Sequence, residues 1–100
     1  MKGKIPFEFT AVLWQHPSEK GGWYFLSLPE TLSAEIREQL QWQEEGWGRL
    51  KAQAKILETT WDTAIWFDSK ANTYLLPLKA EIRKKCKLET GDLVKVLLGL

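Results

Sequence analysis

Five basic residues crowd one short stretch of the chain: Lys79, Arg83, Lys84, Lys85 and Lys87. Side chains of this kind face phosphates and supply the salt-dependent, sequence-independent part of nucleic-acid affinity. The same run also reads as the solvated face of a helix, with cations placed favourably near its C-terminus. Arg49, Lys51 and Lys55 form a second basic stripe on a strand, where lysines also protect sheet edges. Six tryptophans, Trp14, Trp23, Trp42, Trp47, Trp61 and Trp66, are many for 100 residues. Indoles stack on bases or sugars, and they equally fill the core of a small barrel. Trp61 shares a face with Ile65 and Phe67 and belongs to the core. Trp14 and Trp66 lie on the opposite face and are the better candidates for a surface cleft. Trp23 and Trp47, each beside glycine, are placed to line a barrel mouth.

The remaining reactive side chains form no recognisable constellation. His16 is the only histidine, it sits in a polar stretch, and no second histidine or cysteine completes a zinc site with it. Cys86 has lysines nearby that favour a thiolate, but its spacing after Ile82 puts it on a buried stripe as a small hydrophobe. Gly21-Gly22 leads into a strand rather than a helix, so it lacks the setting of a phosphate cradle. Asp62, Asp68 and Asp92 lie at turns and strand ends without a pairing pattern. No motif for acid–base or nucleophilic catalysis stands out, and neither a metal nor a cofactor is implied.

The elements that must position these residues follow from hydrophobic period. Residues 5–14 alternate, with Phe7, Phe9, Ala11 and Leu13 on one face, which predicts a half-buried strand. A polar turn region, 15–22, leads to a second strand over 23–28, making a hairpin with a long loop. Leu32, Ile36 and Leu40 recur at helical spacing and predict a short helix over 30–41. After a glycine-containing connection, residues 49–57 alternate cleanly, with Leu50, Ala52, Ala54 and Ile56 inward. A strand over 60–67, a hairpin turn at 68–72 and a strand over 73–78 follow. A two-turn helix over 79–86 buries Ile82 and Cys86 with Leu78, and Gly91-Asp92 turns the chain into a last strand, 93–98.

The two halves repeat one order. Ala34-Glu35-Ile36-Arg37 returns as Ala80-Glu81-Ile82-Arg83, and Thr10-Ala11-Val12-Leu13-Trp14 is echoed by Thr63-Ala64-Ile65-Trp66-Phe67. An aromatic-led run ending at proline precedes each helix, at Tyr24–Pro29 and Tyr74–Pro77. The expected fold is mainly β: one domain over 1–100, built from two strand–strand–helix–strand repeats, about 5–57 and 58–99. Closing six strands into a barrel capped by two short helices removes the exposed edges an open sheet would leave.

Composition bounds the function classes. Apolar content of 44%, charged content of 27% and a net charge of +1 are those of an ordinary soluble domain, so any nucleic-acid role rests on a local patch. A single cysteine excludes an intramolecular disulfide and fits a reducing compartment. No signal-peptide block or membrane-length apolar run is present, which makes the cytoplasm the expected location.

The stretch from Tyr74 through Pro77, Ile82 and Arg83 to Gly91-Asp92 and the alternating Leu93-Val94-Lys95-Val96 resembles the swapped-hairpin half-barrels of AbrB-type regulators and MazE-type antitoxins. Together with Gly21-Gly22-Trp23-Tyr24-Phe25, Gly46-Trp47-Gly48 and Thr59-Thr60-Trp61, nearly the whole chain resembles a prokaryotic family known as domain of unknown function number nineteen hundred and five. The resemblance implies a monomeric, duplicated double-split β-barrel and no settled activity. The halves differ in charge: Glu35, Arg37, Glu38 and Gln39 in the first helix stand against Lys79, Glu81, Arg83, Lys84, Lys85 and Lys87 around the second. The two-fold basic surface of the DNA-binding relatives is therefore not encoded. The leading expectation is a non-enzymatic binding or interaction module for a small molecule or peptide. Two alternatives stay open: a nucleic-acid-binding domain using the second helix, and an enzyme with an unrecognised site.

Overall fold

Alternating strands with one apolar face bury it most completely by closing on themselves, and this chain does so. The computed structural model describes residues 4–17 and 22–100, apart from the side chain of Trp47. Its strands are β1 (Pro6–His16), β2 (Trp23–Ser27), β3 (Arg49–Ile56), β4 (Thr59–Asp68), β5 (Thr73–Pro77) and β6 (Leu93–Gly99). Helix α1 (Glu30–Leu40) lies between β2 and β3, and α2 (Ala80–Lys85) between β5 and β6. Two single 3-10 turns, Gln41–Gln43 and Gly46–Gly48, complete the connection from α1 to β3. The strands close antiparallel in the order β1-β2-β5-β4-β3-β6.

The inward residues are those the period of two selects. Phe7, Phe9 and Leu13 of β1, Leu50, Ala52, Ala54 and Ile56 of β3, and Val94, Val96 and Leu98 of β6 are buried, with Leu26, Ile65, Tyr74 and Leu76 between them. Ile36 and Leu40 of α1, and Ile82 with Leu78 and Cys86 around α2, join the same core. Trp61 packs against it from β4. Both helices act as lids because each offers only one apolar stripe, which must face the barrel.

The barrel has an internal two-fold correspondence. Exchanging β1 with β4, β2 with β5 and β3 with β6 returns the same circular order. The registers obey the same exchange: Trp14 stands opposite Phe25 where Trp66 stands opposite Leu75, and Leu26 pairs with Leu76 on the axis. Leu28 N–H donates to the Tyr74 carbonyl as Leu78 N–H donates to that of Tyr24, each at 2.9 Å. Mates are fifty positions apart here, but fifty-two at Trp14 and Trp66, and forty-two at Lys51 and Leu93. The second hairpin loop is thus two residues shorter than the first, and the stretch from the start of the helix to the strand after it is eight shorter.

This correspondence differs from the residue echoes in the sequence. The mate of Ala80, which opens α2, is Glu30, which opens α1, so Ala34 lies more than a turn beyond the matching place. The Thr10 and Thr63 segments are offset by one residue, since Val12 rather than Ala11 matches Ala64. In strands a one-residue slip exchanges inside for outside, so the ladder register decides the match.

Gly22 shows what the turn demands. It adopts φ +84, and a Cβ there would lie 2.5 Å from the His16 carbonyl oxygen. Its mate Asn72 takes φ 56 as a residue that tolerates the left-handed region. Gly22→Ala is therefore expected to cost roughly 1–3 kcal/mol. Urea unfolding checks this, with Asn72→Ala, which carries the φ penalty without the carbonyl clash, losing less.

Candidate functional site

The outer wall of a barrel in water should be polar, and on β2 and β5 it is not. Outward positions there are Trp23, Phe25 and Ser27, and Leu75 and Pro77, flanked by Trp14 on β1 and Trp66 on β4. Cross-strand pairing sets the row: Ser27 opposite Leu75, Leu75 opposite Trp66, and Trp66 opposite Arg49. Trp23 is 63% exposed and Trp66 38%.

Three adjoining depressions run along this wall. A nearly apolar one is lined by Trp23, Phe25, Trp66, Leu75 and Pro77. Toward α2 it continues into one lined by Gly22, Trp23, Tyr24, Pro77, Leu78, Lys79, Ala80 and Arg83. Toward β3 it continues into one lined by Lys4, Arg49, Lys51, Ala52, Asp62, Thr63, Ala64, Trp66, Pro77 and Lys79. Pro77 lines all three and Lys79 lines both basic ones, so they form one groove with an aromatic part and a basic rim. The β3 end alone encloses about 560 Å³, which lies within the size range of ligand sites.

The aromatic floor has both fixed and free members. Trp14 Nε1–H donates to Ser27 Oγ at 2.8 Å, and its ring lies 5.2 Å from that of Phe25. Phe25 in turn stacks near-parallel with Trp23, at 6.3 Å and 8°. The mate of Ser27 is Pro77, which has no hydroxyl to offer. Trp66 Nε1–H accordingly has no hydrogen-bond partner among the described residues. The same exchange that ties Trp14 down leaves Trp66 without that hydroxyl partner.

The cations are held at the rim. Arg83 lies 3.6 Å over the Tyr24 ring, and its Nε–H donates to the Leu78 carbonyl at 3.2 Å. Such stacking orients a guanidinium while leaving its outer edge for an anion. Arg49 lies 5.7 Å over Trp66 and is ion-paired with Glu45, which Lys51 also approaches at 4.0 Å. Asp62 is the one carboxylate among the described residues that line the groove.

Trp23, Trp66, Lys79 and Arg83, with Arg49 and Lys51 of the second basic stripe, therefore meet in one groove. Trp14 adjoins it as a support for Phe25. The side chain of Trp47 lies outside the described residues. Lys84, Lys85 and Lys87 are exposed on α2 and beyond it, do not line the groove, and Lys85 is paired with Glu81 at 3.5 Å. Sequence reading missed Tyr24, Phe25 and Pro77 as lining. The outward positions of Phe25 and Pro77 were an available signal, while Tyr24 stands on the inward row, and nothing local says that β2 and β5 are neighbours.

The mate of the α2 end is built differently. Tyr74, the mate of Tyr24, is fully buried, and its hydroxyl donates to the Glu44 carboxylate. Arg37 holds that carboxylate at 3.3 Å and lies 3.9 Å over Phe67. Burial first, then the hydrogen bond and negative charge of Glu44, push the Tyr74 phenol well above its ordinary range. Ser33, the mate of Arg83, is buried and accepts the Tyr74 backbone N–H at 3.0 Å. Among the described residues, the α2 end thus carries an arginine with no carboxylate partner at an open rim, whereas Arg37 at the equivalent end is ion-paired.

Elsewhere, Cys86 is buried with its Sγ 3.8 Å from the Ile56 carbonyl, and His16 is exposed beside Trp14. Among the described residues no three histidines, cysteines or carboxylates gather as a metal site would need. No described helix is long and apolar enough to cross a membrane. A family model, Domain of unknown function (DUF1905), matches residues 9–98. No curated protein matches the chain.

Proposed function

We propose that this chain, which belongs to the DUF1905 family, is a binding module whose outer groove takes a ligand combining a flat apolar group with an anionic one. The observation that carries this reading is the continuity, through Pro77, of an aromatic floor with cationic rims. A flat ring laid on Trp66 or Trp23 removes apolar surface from water, and Trp66 Nε1–H supplies direction. Arg83 and Lys79 meet the anionic group. Binding is favoured over turnover because, among the described residues, the groove lining contains one carboxylate, Asp62, and no histidine or cysteine.

In this reading the chain is a single domain that works as a cytoplasmic monomer, since its barrel closes without a second copy. We read the two-fold correspondence as an internal duplication of the AbrB-like half-barrel, whose halves drifted apart in charge. Binding through the outer lysines of α2 is less well supported, because the aromatic surface lies beside Lys79 and Arg83 rather than Lys84, Lys85 and Lys87.

Titration with anilinonaphthalene sulfonate, a planar aromatic anion, tests the reading by fluorescence enhancement. Trp66→Ala and Arg83→Gln are each expected to weaken the dye by about five- to thirtyfold, the equivalent of about 1–2 kcal/mol. Lys87→Gln should leave it unchanged. Equal affinities in all three variants would overturn the assignment of the groove.

A further inference from the structure

We infer that the occupant of this groove is single-stranded nucleic acid, laid across β2, β5, β4 and β3 rather than along α2. The inference rests on the binding reading above and names its ligand class. Three features of the groove separate a nucleic-acid strand from other aromatic anions.

The first is the placement of charge. Arg83 stands at the α2 end and Arg49 and Lys51 at the β3 end, Lys79 lines both, and the apolar rings lie alongside. A small ligand with one anionic group satisfies one end only. A strand whose phosphates recur along its length satisfies both. Four strands at about 4.8 Å spacing separate the ends by roughly 14 Å, a distance spanned by several nucleotides and not by one. Glu45 already engages Arg49 and Lys51, and Asp62 lies in the same end. The α2 end is therefore the stronger phosphate site, and the β3 end exchanges Glu45 for the ligand.

The second is the floor. Trp23 and Phe25 offer near-parallel rings and Trp66 a third, all outside the barrel. Bases stack on such rings whatever their identity, whereas a peptide carries flat groups only at particular residues. The third is what a duplex would present. Its bases are already stacked on each other and its outer surface is phosphate, so indoles in the groove would meet nothing flat.

Fluorescence anisotropy of a labelled oligothymidylate of about twelve nucleotides tests this, with the dye titration run on the same samples. The wild-type chain is expected to bind at low salt, with log affinity falling against log salt at a slope near −3, about 0.7 for each of four phosphates. Lys79→Gln with Arg83→Gln should flatten that slope by about 1.4. Trp66→Ala should weaken binding by roughly 5- to 150-fold, and Trp66→Phe should restore most of the loss, showing that stacking rather than folding is read. Replacing Lys84, Lys85 and Lys87 by glutamine should cost less than half of what the groove pair costs. Four results would overturn the inference: duplex bound as tightly as single strand, loss that follows the α2 lysines, displacement by polyglutamate with Trp66→Ala indifferent, or a silent oligonucleotide. If the dye binds while the oligonucleotide is silent, this inference falls and the groove reading stands. If both are silent, both fall.

Discussion

Tyr74→Ala is expected to lower the unfolding free energy by about 3–5 kcal/mol, while Tyr24→Ala, at the equivalent place in the barrel, costs about 1 kcal/mol. Both tyrosines begin the inward row of their strand, and the carbonyl of each accepts the backbone N–H of a leucine four residues on in the other half. Their surroundings differ because the first half carries eight more residues between its second and third strands. Those residues bring Glu44 onto Tyr74, beneath Arg37 and against Phe67. Removing the Tyr74 ring empties a fully buried site and strands a carboxylate. Removing the Tyr24 ring uncovers a partly exposed surface that Arg83 had covered. Chemical denaturation of the two variants under one condition measures the difference directly, and equal losses would refute the account.

The same contact gives a pH signature. Its folded-state phenol ionises above the ordinary 10.0, so the native state holds this proton more tightly than the unfolded chain does. The resulting stability is complete below pH 10 and falls as pH rises above it, because the unfolded chain ionises first. The slope contributed is up to about 1.4 kcal/mol per pH unit above 10. Tyr74→Phe should be less stable than wild type by about 1.5–3 kcal/mol at neutral pH, since Glu44 loses a donor. It should also lack that part of the alkaline decline, so the two stability curves converge above pH 10. Curves that stay parallel from pH 8 to 12 would sink the assignment.

Much of the barrel is legible in the chain, and the site only in part. Alternation in 5–14 and 49–57 separates Leu13 from Trp14 and Leu50 from Arg49, and burial follows that division. The outward setting of Trp14 and Trp66 is legible for the same reason, since each follows an inward Leu13 or Ile65. That Trp23 and Trp66 share a groove is not legible. It depends on β5 lying between β2 and β4, a long-range pairing that no local pattern encodes. The contact of Arg83 with Tyr24, across the same seam, is invisible for that reason. The repeat is legible as an order of elements but not residue by residue. Loops of unequal length shift the offset from fifty-two to fifty to forty-two, so no constant offset aligns the halves. Ala, Glu, Ile and Arg recur in helices readily enough for a tetrapeptide to match by composition.

Leu26→Ala and Leu76→Ala are expected to cost nearly the same, about 3 kcal/mol each within the usual range of about 2–5. Both side chains are fully buried, and the two residues face each other across β2 and β5 at the centre of the two-fold correspondence. On that axis each leucine sees the environment of the other, so the difference between the halves has least effect there. Away from it, at Tyr24 and Tyr74, the extra residues of the first half break the equivalence. The double variant should lose less than the sum of the single losses, by about 0.5–3 kcal/mol, because two adjacent cavities merge and let the strands close over them. Unfolding of the four proteins in urea completes the cycle. Single losses that differ by more than about 1.5 kcal/mol would place the halves' divergence in the core itself. Near-equal losses would confine it to the lids and rims, where the open groove and the closed Tyr74 site also part company.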